Sequence, residues 1–208
     1  MAYSPLGESS ALLLGRFMAA LAILVCLPLL ALLALAVKLS SRGPVLHISE
    51  RLGKDGQPFP ILKFRTMRTN AAAELPEMLA THPNLQQQWE QRGKIPCDPR
   101  VTAFGRLLRR SSLDELPQLW NILCGHMAWV GPRPIVRSEI ARYGPDYQKL
   151  QSIRPGLTGL WQVSGRSTLT YPQRVRLDLQ YIEQRCFALD AVILLKTVRE
   201  IFLARGAV

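Results

Sequence analysis

The sequence is poor in the residues and spacings that build metal centres, stapled scaffolds and the familiar nucleotide loops. Its four cysteines, Cys26, Cys97, Cys124 and Cys186, lie far apart without paired spacing. That excludes a disulfide framework or zinc ribbon, and makes a reducing compartment the default. The three histidines, His47, His82 and His126, show no metal-ligand spacing and read as structural residues. There is no P-loop, no G-x-G-x-x-G after a strand and no G-x-S-x-G elbow. Internal repeats and low-complexity stretches are also missing. Acidic residues are the scarce charge: 15 stand against 26 lysines and arginines, a net charge of +11. Such an excess suits a polyanionic partner, whether nucleic acid, an anionic membrane face or phosphate substrates. No nucleic-acid-binding motif appears, and a long apolar run makes that partner awkward, so none is expected.

What is present begins with that run. Over residues 11–39 the chain is almost wholly apolar, and no charge falls between Phe17 and Val37. The length suffices for one bilayer crossing, which takes about 20 residues. Three placements fit. A cleaved signal peptide would use Ala34-Leu35-Ala36, but no cation precedes the run until Arg16, and the run is long for a signal core. A straight spanning helix would put Arg16 and Lys38 on opposite sides, with the basic bulk of the chain in the cytoplasm. A helix bent at Pro28, where the ring removes an amide donor and clashes with the preceding turn, would return both ends to one face. Residue physics leaves spanning and re-entrant placements open.

After Ser40-Ser41-Arg42-Gly43-Pro44 the composition turns mixed, setting a boundary between residues 1–40 and a globular part, 41–208. At 208 residues and 48% hydrophobic content the chain can bury a core. Val45–Ile48 and Phe59–Phe64 read as strands flanking the turn Gly53-Lys54-Asp55-Gly56. Residues 71–92 suit helix, with Pro76 and Pro83 limiting its continuity. A further helix is expected from near Asp114 to Leu123, with Gly125 as its stop. At the C-terminus, Ala191, Leu194, Leu195, Val198, Ile201 and Phe202 share one helical face, opposite Lys196, Arg199, Glu200 and Arg205. That helix either packs on the core or lies in the membrane interface.

The richest chemistry lies in Arg109-Arg110-Ser111-Ser112-Leu113-Asp114-Glu115-Leu116-Pro117. Ser112 and Glu115 have the spacing of a capping box, which explains both without a function. Pro117 suits Asp114 better as cap, because proline is tolerated in a first turn. In either register two carboxylates sit at an electropositive helix start behind two arginines, a setting that favours their ionised form and also binds phosphate. An ionised aspartate beside bound phosphates can attack phosphorus and form an acyl phosphate. Adjacent helical residues point about 100° apart, so Asp114 and Glu115 should do different jobs.

Cations on rigid turns form a second set: Arg133 in Gly131-Pro132-Arg133-Pro134, Arg154 in Arg154-Pro155-Gly156, and Arg166 in Ser164-Gly165-Arg166. Lys63 and Arg65 end a predicted strand. Rigidly held arginines give two-pronged phosphate recognition. Asp178 is an isolated acid in a basic stretch; a magnesium ligand and a salt bridge to Arg174 or Arg176 fit it equally.

These stretches resemble the bacterial sugar transferase family, the monotopic polyprenol-phosphate phosphoglycosyl transferases. The resemblance runs from about Leu21 onward. It rests on Gly43-Pro44-Val45, Lys63-Phe64-Arg65-Thr66-Met67, the run from Ser112 to Asn121, Val130-Gly131-Pro132-Arg133-Pro134 and the run from Arg154 to Arg166. It implies an α/β, α+β-like catalytic domain on a re-entrant membrane helix broken at Pro28, with interfacial amphipathic helices. The domain would lie on the cytoplasmic face of the bacterial inner membrane.

By the same resemblance, Asp114 is the nucleophile that attacks the β-phosphate of a UDP-sugar and releases UMP. Undecaprenyl phosphate then takes the sugar phosphate, opening surface-glycan synthesis. Glu115 is its dyad partner. Lys63, Arg65, Arg109, Arg133, Arg154 and Arg166 bind phosphate, and Asp114 and Asp178 hold Mg2+. A homo-oligomer is compatible with this scheme.

The run Trp161-Gln162-Val163-Ser164-Gly165-Arg166 and the tail from Asp190 to Val198 look most like undecaprenyl-phosphate galactose phosphotransferases, so UDP-galactose or UDP-glucose is the expected donor. Large members carry extra N-terminal membrane helices, and this sequence reads as a minimal catalytic unit beside them. Where the family usually has aspartate, this chain has His126. The same reaction on a UDP-N-acetylated or amino sugar, and an inactive membrane-anchored binding homologue, are the alternatives.

Overall fold

A computed structural model describes residues 5–92, 95 and 97–203. It is 65% helical with two small sheets, the mixed class expected. The first element, α1 (Pro5–Ser40), runs unbroken through Pro28. Pro28 therefore lies inside the helix and does not end it. The apolar stripe Ala19, Ala22, Ile23 packs on Phe59, Ile61, Leu119, Ile122 and Met127. Further along the same helix, Leu30, Leu33, Ala34 and Val37 pack on Phe64 and Leu108. Both halves of α1 thus rest on the one globular body. The remaining faces, with Leu13, Leu14, Phe17, Leu21, Leu24, Val25, Leu32 and Leu35, stay exposed.

The strands β1 (Leu46–Leu52) and β2 (Pro58–Phe64) form an antiparallel hairpin in which His47 pairs with Lys63 and Arg51 with Phe59. Asp55 and Gly56 take positive φ in the connecting turn, as the turn-rich tetrapeptide requires. Helices α2 (Ala71–Thr81) and α3 (Pro83–Arg92) follow. Pro83 divides them, whereas Pro76 is accommodated inside α2.

Next, α4 (Ala103–Ser111) is capped by the Thr102 side chain, which accepts from the Gly105 amide at 2.9 Å. Here glycine is obligatory for close approach: a Cβ on Gly105 would stand 2.0 Å from the Thr66 carbonyl oxygen. A 3-10 turn, Leu113–Glu115, leads into α5 (Gln118–Leu123). Gly125 closes α5 at φ +81°, the stop expected from sequence.

The parallel pair β3 (Ala128–Val130) and β4 (Gly156–Thr158) is separated in the chain by the short helices α6 (Ile140–Tyr143) and α7 (Tyr147–Gln151). Then come α8 (Leu160–Val163), α9 (Tyr171–Gln184) and α10 (Phe187–Leu203). On α10 the core side is Ile193, fully buried, with Thr197 bonded to Thr158 at 2.7 Å. The apolar face read from sequence is largely the other side: Leu195, Val198 and Ile201 are exposed, Leu195 by 73%. Packing of that face on the core is therefore corrected, and the interfacial placement is the one consistent with it. Arg205 lies outside the described residues.

Candidate active site

The two carboxylates do not cap a helix. Ser112 adopts left-handed φ +58° and makes no side-chain cap, so the expected capping box is absent; α5 begins only at Gln118 behind Pro117. The reason lies in α4: its last turn is closed by the Ser112 amide donating to the Leu108 and Arg109 carbonyls, which consumes Ser112 as a helix terminus. The Ser112 hydroxyl accepts from Arg166 Nη2 at 3.2 Å. The left-handed residue reverses the chain and sends Asp114 and Glu115 into the space between α4 and the hairpin.

Their environments differ, as adjacent helical positions should. Lys63 Nζ donates to Glu115 Oε1 at 2.6 Å, and Arg133 Nη1 stands 3.5 Å from the same oxygen. Burial opposes ionisation of Glu115, but Lys63 and Arg133 overcome it and hold the carboxyl down to about 2. Asp114 is 9% exposed. No donor among the described residues hydrogen-bonds its carboxyl. Burial, then the neighbouring Glu115 charge, push it up to about 6, against the pull of Lys63, Arg109 and Arg133. A helix-start dipole that favours both anions is thus corrected for Asp114: desolvation outweighs it. Arg109 is held in place by Nε donating to Thr66 Oγ1 at 3.0 Å.

A buried, unbonded carboxylate flanked by Lys63, Arg109 and Arg133 has the features of a nucleophile directed at phosphorus. Its raised pKa makes it more basic than an ordinary aspartate, while it stays mostly ionised at neutral pH. Cations in this arrangement can balance the charge of a phosphate bound beside the carboxylate. Magnesium fits here as an ion shared with substrate. No group of three acid, histidine or cysteine ligands gathers among the described residues. Magnesium, however, commonly takes one or two carboxylates and completes its shell with phosphate and water, and the unbonded Asp114 carboxyl meets that need.

The other expected site residues divide. Arg166 reaches the dyad's turn through Ser112. Arg65 does not face the dyad: it is buried, and its guanidinium donates to the carbonyls of Pro44 and, at 2.6 Å, Ser41. It ties the end of α1 to β2. Arg154 donates through Nε to the Gly125 carbonyl at 2.9 Å, at the far end of α5.

Asp178, 1% exposed, forms no ion pair with Arg174 or Arg176 among the described residues. Instead it accepts from the Tyr143 hydroxyl at 2.9 Å, while its Oδ1 has no partner. Burial raises its carboxyl to about 7 despite Tyr143 and the nearby Arg133. The charges of Glu115, Lys63, Arg109 and Arg133 act on Asp114, and Arg133 also acts on Asp178.

Two residues missed in the sequence belong to this neighbourhood. Arg51 acts on Glu115 and Arg133 and stands 3.8 Å from Glu139. His47, read as merely structural, has its imidazole pKa lowered by burial, Lys63, Arg51 and Arg109. Strand alternation is the signal that would have found them, since residues 47 and 51 share the ribbon face of Lys63. Tyr143 has no comparable signal.

The model of the bacterial sugar transferase family matches residues 10–204. The exopolysaccharide production protein ExoY of Sinorhizobium fredii is 41% identical over 99% of this chain and 91% of its own length. The undecaprenyl-phosphate galactose phosphotransferase of Salmonella typhimurium is 45% identical over 79% of this chain, which spans 35% of that longer protein. The UDP-glucose:undecaprenyl-phosphate glucose-1-phosphate transferase of Caulobacter vibrioides is 42% identical over 82% of this chain and 61% of its own length. With a family match over residues 10–204 and a relative 41% identical over 99% of its length, the chain belongs to the bacterial sugar transferase family.

Proposed function

We propose that the protein moves hexose-1-phosphate from UDP-galactose or UDP-glucose to undecaprenyl phosphate, through a covalent intermediate on Asp114. The observation that carries this is the Asp114 carboxyl: buried, without a hydrogen bond, raised to about 6 and flanked by Lys63, Arg109 and Arg133. The names of the relatives supply the sugar and acceptor classes.

In the first step an Asp114 oxygen bonds to the β-phosphorus, and the bond from that phosphorus to the bridging oxygen breaks. The electron pair leaves with UMP. Lys63, Arg109 and Arg133 balance the charge on the phosphoryl oxygens. In the second step a phosphate oxygen of the polyprenol phosphate bonds to the same phosphorus, the acyl–phosphate bond breaks, and Asp114 is regenerated. Magnesium, held by Asp114 and substrate oxygens, would neutralise pyrophosphate charge. Glu115 is the fixed anion that orients Lys63 and Arg133.

A membrane placement on the cytoplasmic face suits one soluble and one lipid substrate. The exposed apolar faces of α1 and α10 support it. Both halves of α1 pack on the same domain, so a helix crossing straight through would drag that domain across the bilayer with it. An in-plane or re-entrant path, with both ends on one side, avoids this. The test is UMP release in lipid-containing detergent across a panel of UDP-sugars. Release with UDP-galactose or UDP-glucose that requires undecaprenyl phosphate for multiple turnovers is expected. Release only with N-acetylated donors contradicts the hexose assignment.

A further inference from the structure

At the end of α5 opposite the dyad, two arginines from distant parts of the chain converge on one turn. Arg16, on α1, donates through Nε to the Leu123 carbonyl at 2.8 Å, and Arg154 donates through Nε to the Gly125 carbonyl at 2.9 Å. The Arg16 guanidinium carbon would lie 3.7 Å from a Cβ built on Gly125. The C-terminal carbonyls of a helix attract cations, which explains one N–H from each side chain. A guanidinium has five N–H donors, and neither arginine has a carboxylate within ion-pair distance among the described residues. Two cations are therefore held on carbonyls of one turn, with most of their donors unused and no acid among the described residues to balance them.

Their surroundings identify the anion. Leu13, Leu14, Phe17 and Met18 flank Arg16 on α1 and are all exposed. Beside them the Trp129 indole donates to the Gly15 carbonyl at 2.8 Å, placing an amphipathic ring at the same level. Arginine in such a setting extends its head toward the lipid phosphates. We propose that Arg16 and Arg154 clamp the phosphate of an anionic phospholipid, at a site separate from the dyad. The clamp would fix the depth and tilt at which α5, and with it the dyad at its other end, meets the bilayer. This inference rests on the membrane placement proposed above.

Native mass spectrometry of the full chain in neutral detergent, titrated with phosphatidylglycerol or phosphatidylcholine, tests both separately. The variant is Arg16→Gln with Arg154→Gln, because glutamine keeps a donor for each carbonyl while removing the charge; thermal unfolding verifies that it folds. The wild type is expected to retain phosphatidylglycerol over phosphatidylcholine by at least tenfold. The folded variant should lose that preference and retain phosphatidylcholine as before. An undiminished preference in the folded variant overturns the clamp. So does displacement of phosphatidylglycerol by millimolar inorganic phosphate, which would make the site one for free phosphate. If the wild type retains neither lipid, the membrane placement fails first and the clamp with it.

Discussion

Lys63 and Glu115, one at the end of a strand and the other in a turn between two helices, meet at 2.6 Å. This contact separates the two acids of the dyad. Glu115 is held ionised by its cations, and its charge in turn raises Asp114. One carboxylate is spent on order so that the other can stay unbonded.

Replacing Glu115 by glutamine removes the anion that raises Asp114 and releases Lys63 and Arg133. In the wild type, kcat/KM should fall about tenfold per pH unit below about 6, because the proposed attack needs Asp114 ionised. In Glu115→Gln that acid limb moves to lower pH. Turnover at neutral pH falls by about 100-fold as the oriented cations are lost. A pH–rate profile of both proteins measures the two effects together; an unmoved acid limb contradicts the coupling.

Gly105→Ala forces α4 away from the segment that follows β2, since the added methyl would stand 2.0 Å from the Thr66 carbonyl. Overpacking of this kind costs about 1–3 kcal/mol, and backbone contact puts it at the upper end. Arg109 rides on α4 and bonds Thr66, so activity falls with stability. Thermal unfolding and UMP release report each.

Asp178 tests the linkage of pH to stability. Its folded carboxyl is raised to about 7 by burial, above the unfolded value of about 3.9. The folded state therefore binds the proton more tightly. Wild-type stability from this group is full at low pH and declines as pH rises through that window, by up to about 1.4 kcal/mol per unit. Asp178→Asn does not titrate, so its Tm relative to wild type should be higher at pH 8 than at pH 4. An equal difference at both pH values contradicts the raised carboxyl.

The path of α1 is open to chemical labelling. In a background lacking Cys26, Cys97, Cys124 and Cys186, single variants Ser10→Cys and Ser41→Cys bracket the apolar run of α1. Both should react with an impermeant thiol reagent from the same side of sealed inverted vesicles. Protection of one and reaction of the other supports a straight crossing.

The hairpin and the α5 stop at Gly125 were legible in the sequence because they rest on local turn chemistry and strand alternation; of the cations singled out there, Lys63 and Arg133 meet Glu115. The dyad was legible as a pair of unlike acids, but the capping-box spacing beside it was misleading. Ser112 and Glu115 have capping-box spacing, yet the end of α4 claims Ser112 first, a competition that only tertiary structure decides. Arg65 reads like a phosphate binder from its strand-end position; the carbonyls at the end of α1 take its guanidinium instead. The α10 face failed for a related reason. Apolar periodicity marks a face that avoids water, and here Ile193 and Thr197 make the protein contact while Leu195 and Val198 are left exposed. Tyr143 meets Asp178 across 35 residues, and no local pattern encodes that.

The most direct test is covalent labelling. Detergent-purified protein is incubated with magnesium and UDP-galactose, then UDP-glucose, radiolabelled in the sugar, without lipid acceptor, alongside Asp114→Asn. Label is expected on the wild type, none on the variant, and discharge of the label on adding undecaprenyl phosphate. Lipid-dependent product formation with no labelled protein at any time, or equal label on Asp114→Asn, would contradict Asp114 as the nucleophile.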